Sequence, residues 1–478
     1  MKVLLIYPPR EHYIFGITPH VYIESDAGYY PPIGLLYLAG YLKKFSDVEI
    51  YVLDAYTEKM NHQQVKNYIQ KLQPDVVGVY FSTYYLYDGI ITVKNIKEIS
   101  KEIITVVGGP HTAFYPKETI EIPEVDYVIV GEAEKSFNQL IKSLKEKKFS
   151  EIDNMPNVVS KKNLTKTLFR EVIADLDELP FPARELLDYK KYSSILAKKN
   201  PITTIITSRG CPFKCYFCSN IESGQKVRYR SAKNVVDEIQ DAVERFGIYD
   251  FLFFDELFTS NRQRVIDICN EIIRRGLKIR WHCRSRADVL DEEMIKKMKK
   301  SGCRLIQFGI ETGSQRLQKV INKNLDLEKV RKIITMVYKH GIYTYADFMF
   351  GLPSETEDET RNTLKFAKLL NLDYIAFGMF HPDVGSVFYE QGLKENRFTD
   401  FCLEFVKNYG MVPVFDHSWT GKDREKYHDM ISFAYRNFYL RPTYCIKHLL
   451  RLDSFEQIKW QIFSAIKVFG NFIIKKYR

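Results

Sequence analysis

The chain has 478 residues, of which 45% are hydrophobic and 27% charged, a globular composition too long for one core; two or three domains are expected. No window approaches the ~18–20 apolar residues of a membrane span, and the apolar run Val3–Tyr7 is too short for a secretory leader and stops at Pro8-Pro9, so the expectation is a cytoplasmic protein without a transmembrane segment. The net charge of +10 is uneven: between Met430 and Arg478 nine Lys/Arg face only Asp453 and Glu456, which suits an anionic lipid, nucleic acid or anionic substrate, or simply a solvated helix face.

The first ~147 residues alternate apolar strands (Lys2–Tyr7, Glu49–Asp54, Asp75–Phe81, Ile104–Gly108, Tyr127–Val130) with helical stretches (Ile33–Phe45, His62–Leu72, Val93–Glu102, Ser136–Lys147). Strands this apolar are buried on both faces, which predicts a doubly wound parallel sheet with its ligand at the C-terminal strand ends. Those ends are rich in small and kinked residues: Pro9 after the first strand, Pro32 and Gly34 opening the first helix, Asp54 closing the second strand, then Ser82 and Thr83, Gly108, Gly109 and His111, and Gly131 and Glu132. There is no GxGxxG after the first strand, so a dinucleotide is not expected. The broad, shallow top suits a large flat ligand.

Residues 148–195 hold the Pro-bounded segment Leu179–Pro182 and no sustained period, and read as a connector. From 196 to 400 a second alternation runs, with strands at Thr203–Thr207, Phe251–Phe254, Ile279–Cys283, Leu305–Ile310, Thr344–Phe350 and Tyr374–Phe380. Six βα units in succession predict a partial (β/α)6 barrel with its chemistry at the C-terminal strand ends. Residues 401–478 read as helical and basic.

The chain has eight cysteines, none before Cys211; then three fall within eight residues, at Cys211, Cys215 and Cys218, directly after the first barrel strand. The other five (Cys269, Cys283, Cys303, Cys402 and Cys445) are isolated in apolar surroundings and read as small buried hydrophobes. Three thiolates on one loop can converge on a metal centre. A structural zinc site wants four ligands, and no fourth Cys or His lies nearby. An iron–sulfur cubane usually takes four cysteines, so three leave one iron open to a substrate-like ligand.

The segment Ser208-Arg209-Gly210-Cys211-Pro212-Phe213-Lys214-Cys215-Tyr216-Phe217-Cys218 resembles the CxxxCxxC loop of the radical S-adenosylmethionine superfamily. The resemblance implies that Cys211, Cys215 and Cys218 ligate a 4Fe–4S cluster. The open iron would hold S-adenosylmethionine and, with one electron, cleave it to a deoxyadenosyl radical. It further implies that Phe217 lies against the adenine. Asp255 and Glu256 after the second strand, Arg286 after the third, Glu311 at the end of the fourth, and Gly351 and Glu355 after the fifth would contact the cofactor. A carboxylate at a strand end can equally cap the next helix, and for Asp255 and Glu355 both readings stay open.

Residues 1–140, through Pro31-Pro32-Ile33-Gly34, Gly108-Gly109-Pro110-His111 and Val130-Gly131-Glu132, resemble the cobalamin-binding domain of cobalamin-dependent radical S-adenosylmethionine enzymes. The histidine of the common cobalamin motif would fall at Tyr56, so histidine ligation of cobalt from that position is excluded. The family implies a methyltransferase acting at an unactivated carbon, with an oxidative cyclase or rearrangement enzyme as the rival and a non-catalytic cobalamin sensor as the third reading. A transfer-RNA methylthiotransferase is disfavoured because no second cysteine cluster precedes Cys211, and nucleic acid is not expected as a partner. Expected partners are a small-molecule or lipid substrate and an electron donor such as ferredoxin or flavodoxin. The stripe Phe455, Ile458, Ile462, Ala465, Ile466, Phe469, Phe472 and Ile473 at helical spacing, beside Lys459, Lys467, Lys475 and Lys476, suits packing onto the barrel or peripheral membrane contact.

Overall fold

A computed structural model describes residues 1–12, 28–163, 170–194, 196–219, 226–397, 424–449 and 451. The C-terminal stripe and Cys402 lie outside the described residues. The chain divides into two compact units: the first contains described residues 1–12 and 31–191, the second 28–30, 192–397 and 424–451.

The first unit is built on β1 (Lys2–Tyr7), β2 (Glu49–Asp54), β3 (Val76–Tyr80), β4 (Ile104–Gly108), β5 (Tyr127–Ile129) and β6 (Val158–Ser160), in the sheet order β2-β1-β3-β4-β5-β6. The first five strands are parallel, and β6 joins antiparallel to β5. Val3, Leu4, Leu5 and Ile6 are all buried, as a strand covered by helices on both faces requires. The order reverses between β1 and β3, and that switch point is where such a sheet opens a crevice. The expected connector contributes β6, which at three residues is too short to carry a readable period, and residues 148–191 fall with the first unit.

The second unit holds β7 (Ile202–Ile205), β8 (Asp250–Phe253), β9 (Arg280–Ser285), β10 (Cys303–Glu311), β11 (Tyr343–Phe350) and β12 (Tyr374–Met379), parallel and in sequence order. This is the expected six-stranded partial barrel. Its convex side is apolar and tight: Phe253, Phe258 and Trp281 pack as one aromatic group with centroids 4.7–5.4 Å apart. The concave side carries the alternate residues, including His282, Arg284, Gln307, Tyr345 and Asp347. A capping box of Thr356 and Glu359 starts the helix Glu357–Leu369, which fixes the turn that follows β11. The short pair Gly28–Tyr29 with Ser193–Ser194 also belongs to this unit.

An open barrel leaves β12 with unpaired backbone groups on one side, and the helix Arg424–Tyr439 covers them. Tyr439 Oη lies 3.0 Å from both the amide and the carbonyl of Ile375, and Tyr435 Oη lies 3.1 and 3.3 Å from those of Phe377. The two rings sit one helical turn apart and stack. Replacing both tyrosines by phenylalanine removes these partners while keeping the rings. We expect a loss of about 1–3 kcal/mol in urea unfolding and a greater tendency to aggregate, and an unchanged unfolding midpoint would show that the edge has no need of the hydroxyls.

Candidate active site

The loop that carries Cys211, Cys215 and Cys218 leaves β7 and is tied down along its length. At its base the carboxylate of Asp255, fully buried after β8, accepts the amides of Thr207 (2.6 Å) and Ser208 (3.1 Å) and the Thr207 hydroxyl. Arg264 lies 3.7 Å from the same carboxylate and donates to the Thr207 carbonyl at 2.8 Å. Further along, Asn322 donates to the Lys214 carbonyl (2.7 Å), the Tyr216 amide to Ile321 (3.0 Å) and the Asp383 amide to Phe217 (3.1 Å). Side chains alternate along the loop: Cys211, Phe213, Cys215 and Phe217 are half-buried, Pro212, Lys214 and Tyr216 exposed. Cys218 is exposed, and none of the three is in a disulfide.

The charges around the loop suit an anionic metal-thiolate centre. Arg286 Nη1 lies 4.0 Å from Cys215 Sγ, and its guanidinium stacks 3.7 Å over the Phe213 ring. Asp288 (2.8 Å) and the Lys323 carbonyl (2.8 Å) hold Arg286 in place. Burial pushes the Cys215 thiol up, while Lys323 and Arg286 pull it down. Burial also raises Cys211, opposed by a hydrogen bond from the Phe213 amide. A bound metal removes such thiol protons outright.

Glu311 ends β10 at φ 71°, in the left-handed region that a non-glycine residue seldom occupies, beside a break in the β10–β11 register. Its buried carboxylate pairs with Lys323 Nζ at 2.7 Å. Strain of this kind persists where surrounding structure imposes it and is common at ligand-binding positions. Lys323 Nζ is also 5.8 Å from the Phe217 ring. Phe217 packs against Leu317, Ile321, Leu352, Phe380 and Phe388. Cys215, Arg286, Glu311, Lys323 and Phe217 thus form one patch. Glu256 is exposed and contributes to the charge felt by Cys211.

The structure separates these residues from Asp255 and Glu355, whose carboxylates are engaged by backbone. Glu355 Oε2 accepts the amides of Gly351 and of Leu352 (3.0 Å), closing the turn after β11. Lys323 and Asp347 have no counterpart among the sequence expectations. A signal for the lysine was present: Asn322 and Asn324 flank it, both at positive φ (53° and 55°), as asparagine tolerates. Asp347 accepts from Gln307 at 2.8 Å, and burial, then Glu311, raises its pKa to about 6.

In the first unit, the ring of Tyr7, at the end of β1, stacks on that of Tyr80, at the end of β3, with centroids 4.9 Å apart at the switch point. Arg10 lies 4.0 Å over both Tyr56 and Tyr85, so the motif-histidine position is held by an aromatic–cation stack. Pro9 and Asp54 are buried, and Asp54 accepts the Thr57 amide at 3.1 Å. Thr83 Oγ1 lies 3.1 Å from Nδ1 of the buried His111, whose pKa burial lowers to about 3, so the ring is neutral. Ser82 precedes this turn, and Gly108 leads into Gly109, which has φ 121° and where an added Cβ would fall 2.6 Å from the Phe81 carbonyl oxygen, so no side chain is admitted. Pro32 caps the first helix. At Gly34 and Gly131 an added Cβ would meet nothing within 4 Å. Glu132 accepts the Ile173 amide at 2.7 Å. The crevice rim, open at two glycines and aromatic at the switch point, fits a flat macrocycle, and the three cysteines of the clamped loop, with Arg286 at Cys215, fit an iron–sulfur cluster.

The Radical SAM superfamily model matches residues 205–367 and the B12 binding domain model residues 19–141. Over 473 residues, 98% of this chain and 99% of the relative, the sequence is 33% identical to the Uncharacterized methyltransferase PH0819 of Pyrococcus horikoshii. It is 31% identical over 452 residues, 93% of this chain and 78% of the relative, to the anaerobic magnesium-protoporphyrin IX monomethyl ester cyclase of Rubrivivax gelatinosus. Among solved structures, the cobalamin-dependent S-adenosylmethionine radical enzyme OxsB, with aqua-cobalamin and S-adenosylmethionine bound, has the same fold at a TM-score of 0.71 and 19% identity, over 98% of this chain and 72% of that one. The methyltransferase TsrM from Kitasatospora setae gives 0.66 and 18%, over 82% and 78%. The chain belongs to the cobalamin-dependent radical S-adenosylmethionine enzymes. Its cofactors are those of that class: a 4Fe–4S cluster, S-adenosylmethionine and cobalamin. No helix among the described residues is long and apolar enough to cross a membrane.

Burial raises the Glu355 pKa from 4.5 to about 7, against the hydrogen bonds from Leu352 and Gly351. A raised carboxyl pKa contributes stability that is full below the unfolded value and lost as pH rises through the folded one. Glu355→Gln keeps an acceptor for both amides without the charge. Relative to this variant the wild type should lose on the order of 1–3 kcal/mol between about pH 4.5 and 7, read by denaturant unfolding at each pH. A pH-independent difference would place Glu355 in a wetter setting.

Proposed function

We propose that the protein is a radical methyltransferase acting at an unactivated carbon, with the cluster on Cys211, Cys215 and Cys218. The observation that carries this is the three-cysteine loop, clamped along its length, with Arg286 at Cys215 and the strained Glu311–Lys323 pair beside it. When bound, the cluster and S-adenosylmethionine supply a carbon-centred radical and cobalamin supplies a methyl group; the hard chemistry is the cofactors' own. The chain's share is positioning. Arg286 would hold a cofactor carboxylate, and the Glu311 carboxylate, held by Lys323, would take a cofactor amino or hydroxyl group. Phe217 offers its ring to the adenine, and Glu256 and the Gly351 turn form the rim. Asp255 acts through the loop it clamps. In the first unit, Pro9, Pro32, Gly34, Asp54, Ser82, Thr83, Gly108, Gly109, His111, Gly131 and Glu132 form the cobalamin rim, with Arg10 and Tyr56 in place of a ligating histidine. Domains at 1–147 and 196–400, an external one-electron donor such as ferredoxin or flavodoxin, and a small-molecule or lipid substrate complete the reading.

A second reading, oxidative ring formation, is favoured by the 31% identity to the Rubrivivax gelatinosus cyclase. The two differ in product. Reconstituted enzyme supplied with methyl-deuterated S-adenosylmethionine and metabolite or lipid extract should yield a product that carries the label. Dehydrogenated product without label would favour the cyclase. Cys215→Ala should retain no intact 4Fe–4S cluster and release no deoxyadenosine; wild-type release from this variant would reject the assignment of that ligand.

A further inference from the structure

Away from the cysteine loop, three segments of the first unit bring two imidazoles and a carboxylate together. His12 follows β1, His62 opens the helix His62–Leu72, and Asp88 lies in the first turn of the helix Leu86–Ile99. The Asp88 carboxylate is fully buried. Its Oδ1 lies 2.8 Å from His12 Nδ1 and 2.8 Å from His62 Nε2, and its Oδ2 accepts the His12 amide at 3.2 Å. All three candidate ligand atoms fall within 4.8 Å of one another.

The geometry points to a binding site for one divalent first-row metal ion, of the zinc class, formed by His12, His62 and Asp88. Imidazole and carboxylate donors together suit zinc and its neighbours. Ligand atoms around a tetrahedral zinc stand roughly 3.3 Å apart, given bonds of about 2.0 Å, so each of the two Asp88 Oδ1 contacts needs to lengthen by about half an ångström, and the two ring nitrogens already lie within 4.8 Å of each other. A fourth donor is at hand: Glu11 Oε2 is 3.6 Å from His62 Nε2 and already accepts the His62 amide at 3.1 Å. Two neutral imidazoles with two carboxylates carry a charge that one divalent cation neutralises. The His12 ring is set edge-on against Tyr87, with centroids 4.7 Å apart, and the helix N-terminus at Asp88 favours its ionised form.

The competing arrangement is a pair of hydrogen bonds from both rings to a single oxygen, Oδ1. That requires His12 to carry its proton on Nδ1 and His62 on Nε2, whereas a cation uses the lone pairs of both rings. An ion would pin the chain after β1 to the first turns of the helices that follow β2 and β3, beside the switch point. Nδ1 of His62 is buried without a hydrogen-bond partner. It therefore lacks the second contact that metal-bound imidazoles ordinarily make, and the test supplies the metal instead of relying on co-purification.

Holoprotein loaded with cluster and cobalamin would be incubated with zinc chloride under argon and desalted, and zinc, iron and cobalt counted by mass spectrometry. X-ray absorption at the zinc edge reports the ligands. We expect about one zinc per chain, nitrogen and oxygen neighbours at about 2.0 Å with imidazole scattering, and unchanged iron and cobalt. His12→Gln, which removes a half-exposed side chain (42%) without opening the core, should weaken zinc binding at least about tenfold, as should His62→Gln, with iron and cobalt kept in both. Absence of stoichiometric zinc, sulfur in its ligand shell, or equal binding by wild type and the His12→Gln variant would overturn the site.

Discussion

Three thiols can serve one metal centre only if the loop between them is held still, and a buried carboxylate provides that hold. Asp255 lies just after β8 and takes two backbone amides and the Thr207 hydroxyl just after β7, with Arg264 alongside to balance its charge. A charge removed from water is tolerated only when paired and hydrogen-bonded, and here both conditions are met. The carboxylate joins two adjacent strand ends, so the barrel's register sets the start of the cysteine loop. Everything downstream depends on that start: the contacts of Lys214, Tyr216 and Phe217 fix the loop's far side, and Arg286 meets Cys215 because β9 is the next strand over.

The electrostatics follow from the same layout. Along β9, β10 and β11 the concave face presents Arg284, Gln307 and Asp347, and the strand ends present Arg286 and Glu311. Lys323 comes from the turn after the helix Gln315–Val320 and neutralises Glu311. In the proposed reading Arg286, beside the thiols, would take a cofactor carboxylate, and Glu311, one strand away, a cofactor amino group. Asp347 is half-buried on this face, and burial together with Glu311 raises its carboxyl. In the first unit the corresponding constraint is the switch between β1 and β3, where Tyr7, Tyr80, Tyr56, Tyr85 and Arg10 replace the usual histidine with stacked rings around a guanidinium.

Much of this was legible in the sequence. Eleven of the twelve strands of the two large sheets are legible: those of the first unit as apolar runs such as Val3–Ile6 and Val76–Val79, covered on both faces, and those of the barrel as short apolar stretches between helical patterns. The missing strand, β6, has three residues and pairs antiparallel at an edge, where no pattern need develop. The CxxxCxxC spacing and the strand-end Glu311 were readable because their chemistry dictates residue type. Arg10 and the His12–His62–Asp88 group were not, since each is assembled from segments distant in sequence, and Lys323 left only its flanking asparagines as a signal. Asp255 and Glu355 were readable as strand-end carboxylates but not as clamps, because a carboxylate serving a backbone amide and one serving a ligand leave the same letter in the chain.

The account rests on an open iron at the Cys211–Cys215–Cys218 loop. Electron paramagnetic resonance of the anaerobically reconstituted, reduced protein, recorded with and without S-adenosylmethionine, tests this directly. The account predicts a reduced-cluster signal that shifts on adding S-adenosylmethionine and that is lost when the three cysteines are replaced by alanine. A signal that S-adenosylmethionine leaves unchanged, or one that survives the triple replacement, would contradict it.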